Sequence, residues 1–125
     1  VDSEDESRLE QRNFTVNGVD LTFFDCPGTI GWGGLELSWD SYDFSTLDDH
    51  LKPGDVILDV GANIGVTAIV MAKRYPYARI FAFEPVPTTY RLLSRNVAAN
   101  GVTNVVALNT TLTSDGQPLT FGCNE

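Results

Sequence analysis

The sequence predicts an α/β fold: a parallel sheet in strand order 3-2-1, built by two strand-helix-strand crossovers and preceded by an antiparallel hairpin. Three observations carry this. Val56-Ile57-Leu58 is apolar at successive positions without alternation, the pattern of a parallel strand with helices on both faces. Further apolar runs, Ile80 to Phe83 and Val105 to Leu108, each follow a segment with helical spacing. Right-handed crossovers then lay each new strand beside the last. At 125 residues and 42% hydrophobic composition, the chain has room for one domain with a real core.

Taken in order, residues 1–13 are polar and acidic without periodicity and read as a frayed tail. Residues 14–52 form a second unit. Phe14 and Val16 alternate into Val19, Leu21 and Phe23 across Asn17-Gly18, a pair that tolerates the positive φ of a type I′ turn. Pairing Val16 with Val19 and Phe14 with Leu21 puts the apolar side chains on one face, as a lid over the bottom of the sheet. Cys26 to Trp39 is glycine-rich and reads as a loop, with Trp32, Trp39 and Tyr42 either packing the hairpin or walling a ligand pocket. Ser41 to Leu51 reads as a short helix with Phe44, Leu47 and Leu51 on one side, and its His50 as a solvated helix-end residue.

Residues 53–125 carry the sheet. Ile64, Ala68, Met71, Ala72 and Tyr75 recur at helical spacing up to Pro76. Pro87 suits a first helical turn, Val86, Tyr90, Leu93 and Val97 mark a buried stripe, and Asn100-Gly101 ends that helix. After the third strand, Ser114-Asp115-Gly116 turns the chain into Leu119-Thr120-Phe121, an edge hairpin.

The chemistry concentrates at two strand ends. The first strand runs into Asp59-Val60-Gly61-Ala62-Asn63-Ile64-Gly65, where missing Cβ atoms let backbone approach a ligand and the next helix aims its free N–H groups at it. The second strand ends at Glu84-Pro85, about where nucleotide-binding folds place an acid on ribose hydroxyls. Asn63 stands where the dinucleotide fingerprint G-x-G-x-x-G wants its second glycine, so a nicotinamide-binding half-domain is the weaker reading.

D-x-G-x-N-x-G followed by F-x-F-E-P resembles the first two motifs of class I S-adenosylmethionine-dependent methyltransferases. "DVGANIG" with "FAFEPVPTTYRLLSRNVAANG" is similar to their FkbM family, from about Pro53 to Phe121. The resemblance implies a Rossmann-like fold, S-adenosylmethionine as cofactor, and O-methyl transfer to a small hydroxylated acceptor such as a sugar or natural product. It also implies a donor site of Asp59, Gly61, Asn63, Gly65, Glu84 and Pro85. There Asp59 would help hold the methionine amino group, Asn63 shape the turn and Glu84 take the ribose, with adenine near Asn109 to Leu112. No catalytic residue is assigned. The family's fourth strand, with its acidic run, has no counterpart after Phe121. The chain, which starts at Val1, therefore reads as the amino-terminal half of such an enzyme, inactive alone, with an open first strand that invites edge pairing or self-association. The rival reading is a non-catalytic nucleotide-binding or interaction module.

Composition narrows the partners. Residues 1–55 hold thirteen acids and three bases, and residues 56–125 four acids and five bases. A phosphate-neutralising surface is not expected from that balance, and nucleic acid is excluded as a partner. No stretch approaches the roughly 20 apolar residues of a membrane span, and the acidic start is unlike a signal peptide, so a cytoplasmic protein without membrane partners is expected. Cys26 and Cys123 read as unrelated reduced thiols, with a disulfide between them as the weaker alternative, and have no neighbours at metal-ligand spacing.

Overall fold

A computed structural model describes residues 8–26 and 43–118. Trp32, Trp39, Tyr42, Cys123 and the hairpin expected at Leu119 to Phe121 lie outside these residues. Strands β1 (Glu10–Val16) and β2 (Val19–Asp25) pair antiparallel, with Val16 opposite Val19 and Phe14 opposite Leu21. Asn17 and Gly18 take φ of 49° and 76°, the left-handed pair that the turn demands. Val16, Leu21 and Phe23 are buried on one face, and the Phe14 and Phe23 rings lie 5.6 Å apart. β1 begins at Glu10, inside the segment expected to be a tail, because its backbone pairs with β2 as far as Asp25.

Helix α1 (Ser45–His50) precedes β3 (Val56–Val60), helix α2 (Val66–Arg74), β4 (Arg79–Phe83), helix α3 (Pro87–Ala99) and β5 (Val105–Leu108). The three later strands are parallel in the order β3-β4-β5, so the first strand of the sheet is at an edge among the described residues. α2 packs by Ala68, Ile69, Met71, Ala72 and the following Tyr75, all buried. At about 25 cal/mol per Å² such apolar burial is the main source of stability. Asn104 then locks the crossover into β4, its amide donating to the carbonyls of Ala72, Tyr75 and Ala78 at 3.0 to 3.1 Å. His50 is exposed, with Nδ1 2.6 Å from the Thr46 carbonyl. α1 is fastened to α2 by Arg74, whose guanidinium binds Asp48 through two nitrogens, and by the Tyr75 hydroxyl donating to Asp48 at 2.8 Å.

Two expectations about layers need correction. The hairpin is no lid on the sheet: β2 packs against α3 and α2 and forms a third layer outside them. Nor do helices cover both faces of the sheet among the described residues. Val56, Leu58 and Val60 are each 54–55% exposed, while Ile80 and Ala82 on the opposite face of the neighbouring strand are fully buried. A continuous apolar run marks a strand meant to be covered on both sides, but the cover itself has to come from elsewhere in space.

Candidate donor site at the glycine turn

The turn after β3 is pinned from several sides. Gly61 and Ala62 each donate their N–H to the Phe83 carbonyl at 2.9 Å, and Gly65 donates to the Ala62 carbonyl at 3.0 Å. Asn63 sits at φ 55°, a left-handed value that asparagine tolerates, and gives its N–H to Glu84 Oε1 at 3.0 Å. The other Glu84 oxygen, Oε2, accepts the Val86 N–H at 3.0 Å just ahead of α3. Glu84 is only 7% exposed. Its carboxylate thus ties the glycine turn to the start of α3. A carboxylate offers about four lone-pair positions, so two remain for a ligand's hydroxyls.

The amides of the turn itself, those of Gly61, Ala62, Asn63 and Gly65, are all spent on internal acceptors. The two glycines also differ in purpose. A Cβ at Gly61, φ 77°, would meet nothing within 4 Å, which leaves open space above the turn. At Gly65, φ 103°, it would lie 2.7 Å from Leu93 Cδ1 and 3.3 Å from Ile69 Cδ1. Gly61 suits ligand approach; Gly65 lets α2 and α3 close on each other.

Asp59 lies on the helix-facing side of β3, opposite Ala82, and its Oδ2 is buried with no hydrogen-bond partner. Burial raises its pKa above the ordinary aspartate value. An orphaned buried acceptor beside an open glycine fits the ammonium of a methionine moiety, which would supply the missing partner. Pro85 is held in turn by Asn109, whose amide donates to the carbonyls of Glu84 (3.0 Å) and Pro85 (3.1 Å). Beside it opens a cleft of about 550 Å³, lined by Pro85, Asn109 and Leu112 among others. That volume is in the range of small-molecule sites. The sequence reading named this region only as a neighbourhood; an asparagine directly after an apolar strand was the signal for a backbone clamp.

Because burial raises the pKa of Asp59, its linkage has a definite sign. Protonation is favoured in the folded state, so the associated stability is complete below the unfolded value near 3.8 and is lost as pH rises through the folded value. Asp48 has the opposite sign: the Arg74 and Tyr75 hydrogen bonds lower its pKa to about 2, and its stability fades only as pH falls below about 3.8. Asp59→Asn is expected to raise the thermal midpoint at pH 7 and to remove the decline in stability above about pH 4. Thermal melts between pH 4 and 8 check this; an unchanged decline would detach it from Asp59.

Parallel β3-β4-β5, with an acid ending β4 and bonded to the glycine turn of β3, defines the class I methyltransferase fold, whose cofactor is S-adenosylmethionine. More narrowly, the chain belongs to the family of the TRM5/TYW2 methyltransferase domain, whose model matches residues 43–119. It is 44% identical over 75 residues to methyltransferase sdnD of Sordaria araneosa, covering 58% of this chain and 29% of that protein. It is 35% identical over 91 residues to the ribosomal RNA small subunit methyltransferase C of Cronobacter sakazakii, covering 72% of this chain and 26% of that one. The chain thus spans less than a third of either relative's length. Among solved structures, a T. thermophilus 16S rRNA methyltransferase in complex with AdoMet and guanosine superposes with a TM-score of 0.60 at 21% identity, over 82% of this chain and 28% of that one. The M. jannaschii TYW2 complex with AdoMet gives a TM-score of 0.58 at 21% identity, over 80% and 43%.

These relatives overturn one expectation, that of a small-molecule acceptor with no nucleic-acid partner. Proteins named as rRNA and tRNA methyltransferases are among the chain's similar sequences and folds. The charge argument failed because it took the acid excess of one half of the chain for the character of every surface. Most of the acids lie in residues 1–55, while residues 56–125 hold four acids against five bases. A count over a segment reports no single face.

Proposed function

We propose that this chain carries the donor-binding part of an S-adenosylmethionine-dependent methyltransferase. Asp59 faces the methionine ammonium, Gly61 leaves room above the turn, and Asn63 and Gly65 set the turn's shape. Glu84 takes the ribose hydroxyls and Pro85 borders the adenine cleft. The observation that carries the reading is the bond from the Asn63 N–H to Glu84 Oε1, which brings the acid of β4 against the glycine turn of β3. When bound, the sulfonium donor supplies an activated methyl group. Asp59, Gly61 and Glu84 would hold that donor for an in-line displacement of the methyl group by an acceptor. These residues contribute alignment, which carries much of the barrier lowering in such displacements.

Transfer to RNA is supported by the match to the ribosomal RNA small subunit methyltransferase C of Cronobacter sakazakii, 35% identical over 91 residues. An FkbM-like subtype is supported over a shorter stretch, by 40% identity over 53 residues with the 31-O-demethyl-FK506 methyltransferase FkbM of Streptomyces tacrolimicus. Calorimetric titration tests the shared donor site: S-adenosylhomocysteine is expected to bind more tightly than NAD, and the reverse order would sink it.

A further inference from the structure

The seam between hairpin and helix holds a pair of asparagines that neither the motif nor the fold class calls for. Asn96 and Asn100 lie four residues apart at the end of α3, and each grips one residue of β2 by both backbone groups. The Thr22 N–H donates to Asn100 Oδ1 at 3.0 Å and Asn100 Nδ2 donates to the Thr22 carbonyl at 2.7 Å. The Phe24 N–H donates to Asn96 Oδ1 at 2.7 Å and Asn96 Nδ2 donates to the Phe24 carbonyl at 3.1 Å. Four helical residues rise ~6 Å and two strand residues ~6.8 Å, so the helix can stand in for a third strand on the free edge of β2.

Asn96 does one thing more. Its Nδ2 also donates to the Ile64 carbonyl at 2.9 Å, and the residue is fully buried. Ile64 stands between Asn63 and Gly65. The Asn63 N–H is held by Glu84 and the next residue's carbonyl by Asn96, so the turn is fixed from the β4 side and from the hairpin side. Asn100 makes no such bond among those the structure shows; its remaining contact is to the Asn96 carbonyl at 2.7 Å.

Resting on the donor-site reading above, we propose that Asn96 is a positioning residue of that site, coupling the hairpin to the glycine turn through the Ile64 carbonyl. Asn96 touches no reacting group; it fixes where Asn63 and Gly65 stand. The hairpin is thereby joined to the donor site's framework at Asn96, the one seam residue that also holds the turn.

Amide hydrogen exchange on the full chain, with Asn100→Ala as the seam control, separates this from a purely structural role. Asn96→Ala is expected to speed exchange at Asn63 and Gly65 by ~tenfold, the worth of about one hydrogen bond, and to weaken S-adenosylhomocysteine binding by a similar factor. Asn100→Ala should speed exchange at Thr22 while leaving Asn63, Gly65 and donor affinity within about twofold. Asn96→Asp keeps an acceptor for the Phe24 N–H and loses the donor to Ile64, so it carries the test if Asn96→Ala does not fold. Equal exchange at Asn63 and Gly65 in the Asn96 and Asn100 variants would overturn the proposal. If the unaltered chain binds no S-adenosylhomocysteine, the donor-site reading falls, and exchange alone decides whether Asn96 holds the turn.

Discussion

Gly65→Ala is expected to be among the most damaging single substitutions in the chain. Its φ of 103° is one that side-chain-bearing residues rarely adopt, and the new methyl would sit 2.7 Å from Leu93 Cδ1 and 3.3 Å from Ile69 Cδ1. Leu93 and Ile69 are fully buried, so neither can swing away without disturbing the core between α2 and α3. Backbone strain of about 1–3 kcal/mol and overpacking of about 1–3 kcal/mol act together, for a loss of about 2–6 kcal/mol. For a chain of this size the thermal midpoint should fall on the order of 10 °C. Gly61→Ala is the control: its Cβ meets nothing within 4 Å, so only the cost of a positive φ remains, about 1–2 kcal/mol. Denaturant unfolding of both variants measures the difference. Equal losses at the two glycines would mean that packing at Gly65 contributes nothing.

Glu84→Gln is expected to damage both binding and stability, and the double effect is the informative part. One oxygen becomes an amide nitrogen, so either the Asn63 N–H or the Val86 N–H loses its acceptor and faces another donor. Both N–H groups are part-buried, so leaving one unpaired should cost about 1 kcal/mol of stability, the low end of the range for a buried donor. Loss of charge-assisted bonds to ribose hydroxyls should cost a further 1.5–3 kcal/mol or so of donor affinity, roughly tenfold or more. Thermal melts and calorimetric titration with S-adenosylhomocysteine read the two effects separately. A drop in stability with affinity unchanged within about twofold would leave Glu84 as a brace for the turn and remove it from the ribose.

The periodic and local features were legible in the sequence. Asn17-Gly18 demanded a left-handed turn, and that turn fixed the register of Phe14 on Leu21, because local backbone chemistry decides such a hairpin. Helix stripes through Ala68 and Leu93, the proline start of α3 and the three apolar strands were likewise written in spacing alone. Family membership, too, was carried at the level of class by the Asp59 to Gly65 turn and Glu84, since both motifs are short and continuous. What the acceptor is made of was not, because acceptor chemistry is set by a surface and not by a motif or a net charge.

Tertiary structure alone decided where the layers and the spare hydrogen bonds went. Spacing shows that Val16, Leu21 and Phe23 need a cover; that the cover is α2 and α3 instead of the sheet depends on contacts between distant segments. Gly65 looks like Gly61 on paper, yet one is shaped by Leu93, 28 positions away, and the other by open space. Asn96 reads as an ordinary polar residue in a helix until β2 and the Ile64 carbonyl arrive on its two sides. A sequence fixes which groups must be satisfied, whereas the identity of each partner follows only once residues 32 and 72 positions apart have been brought within hydrogen-bonding distance.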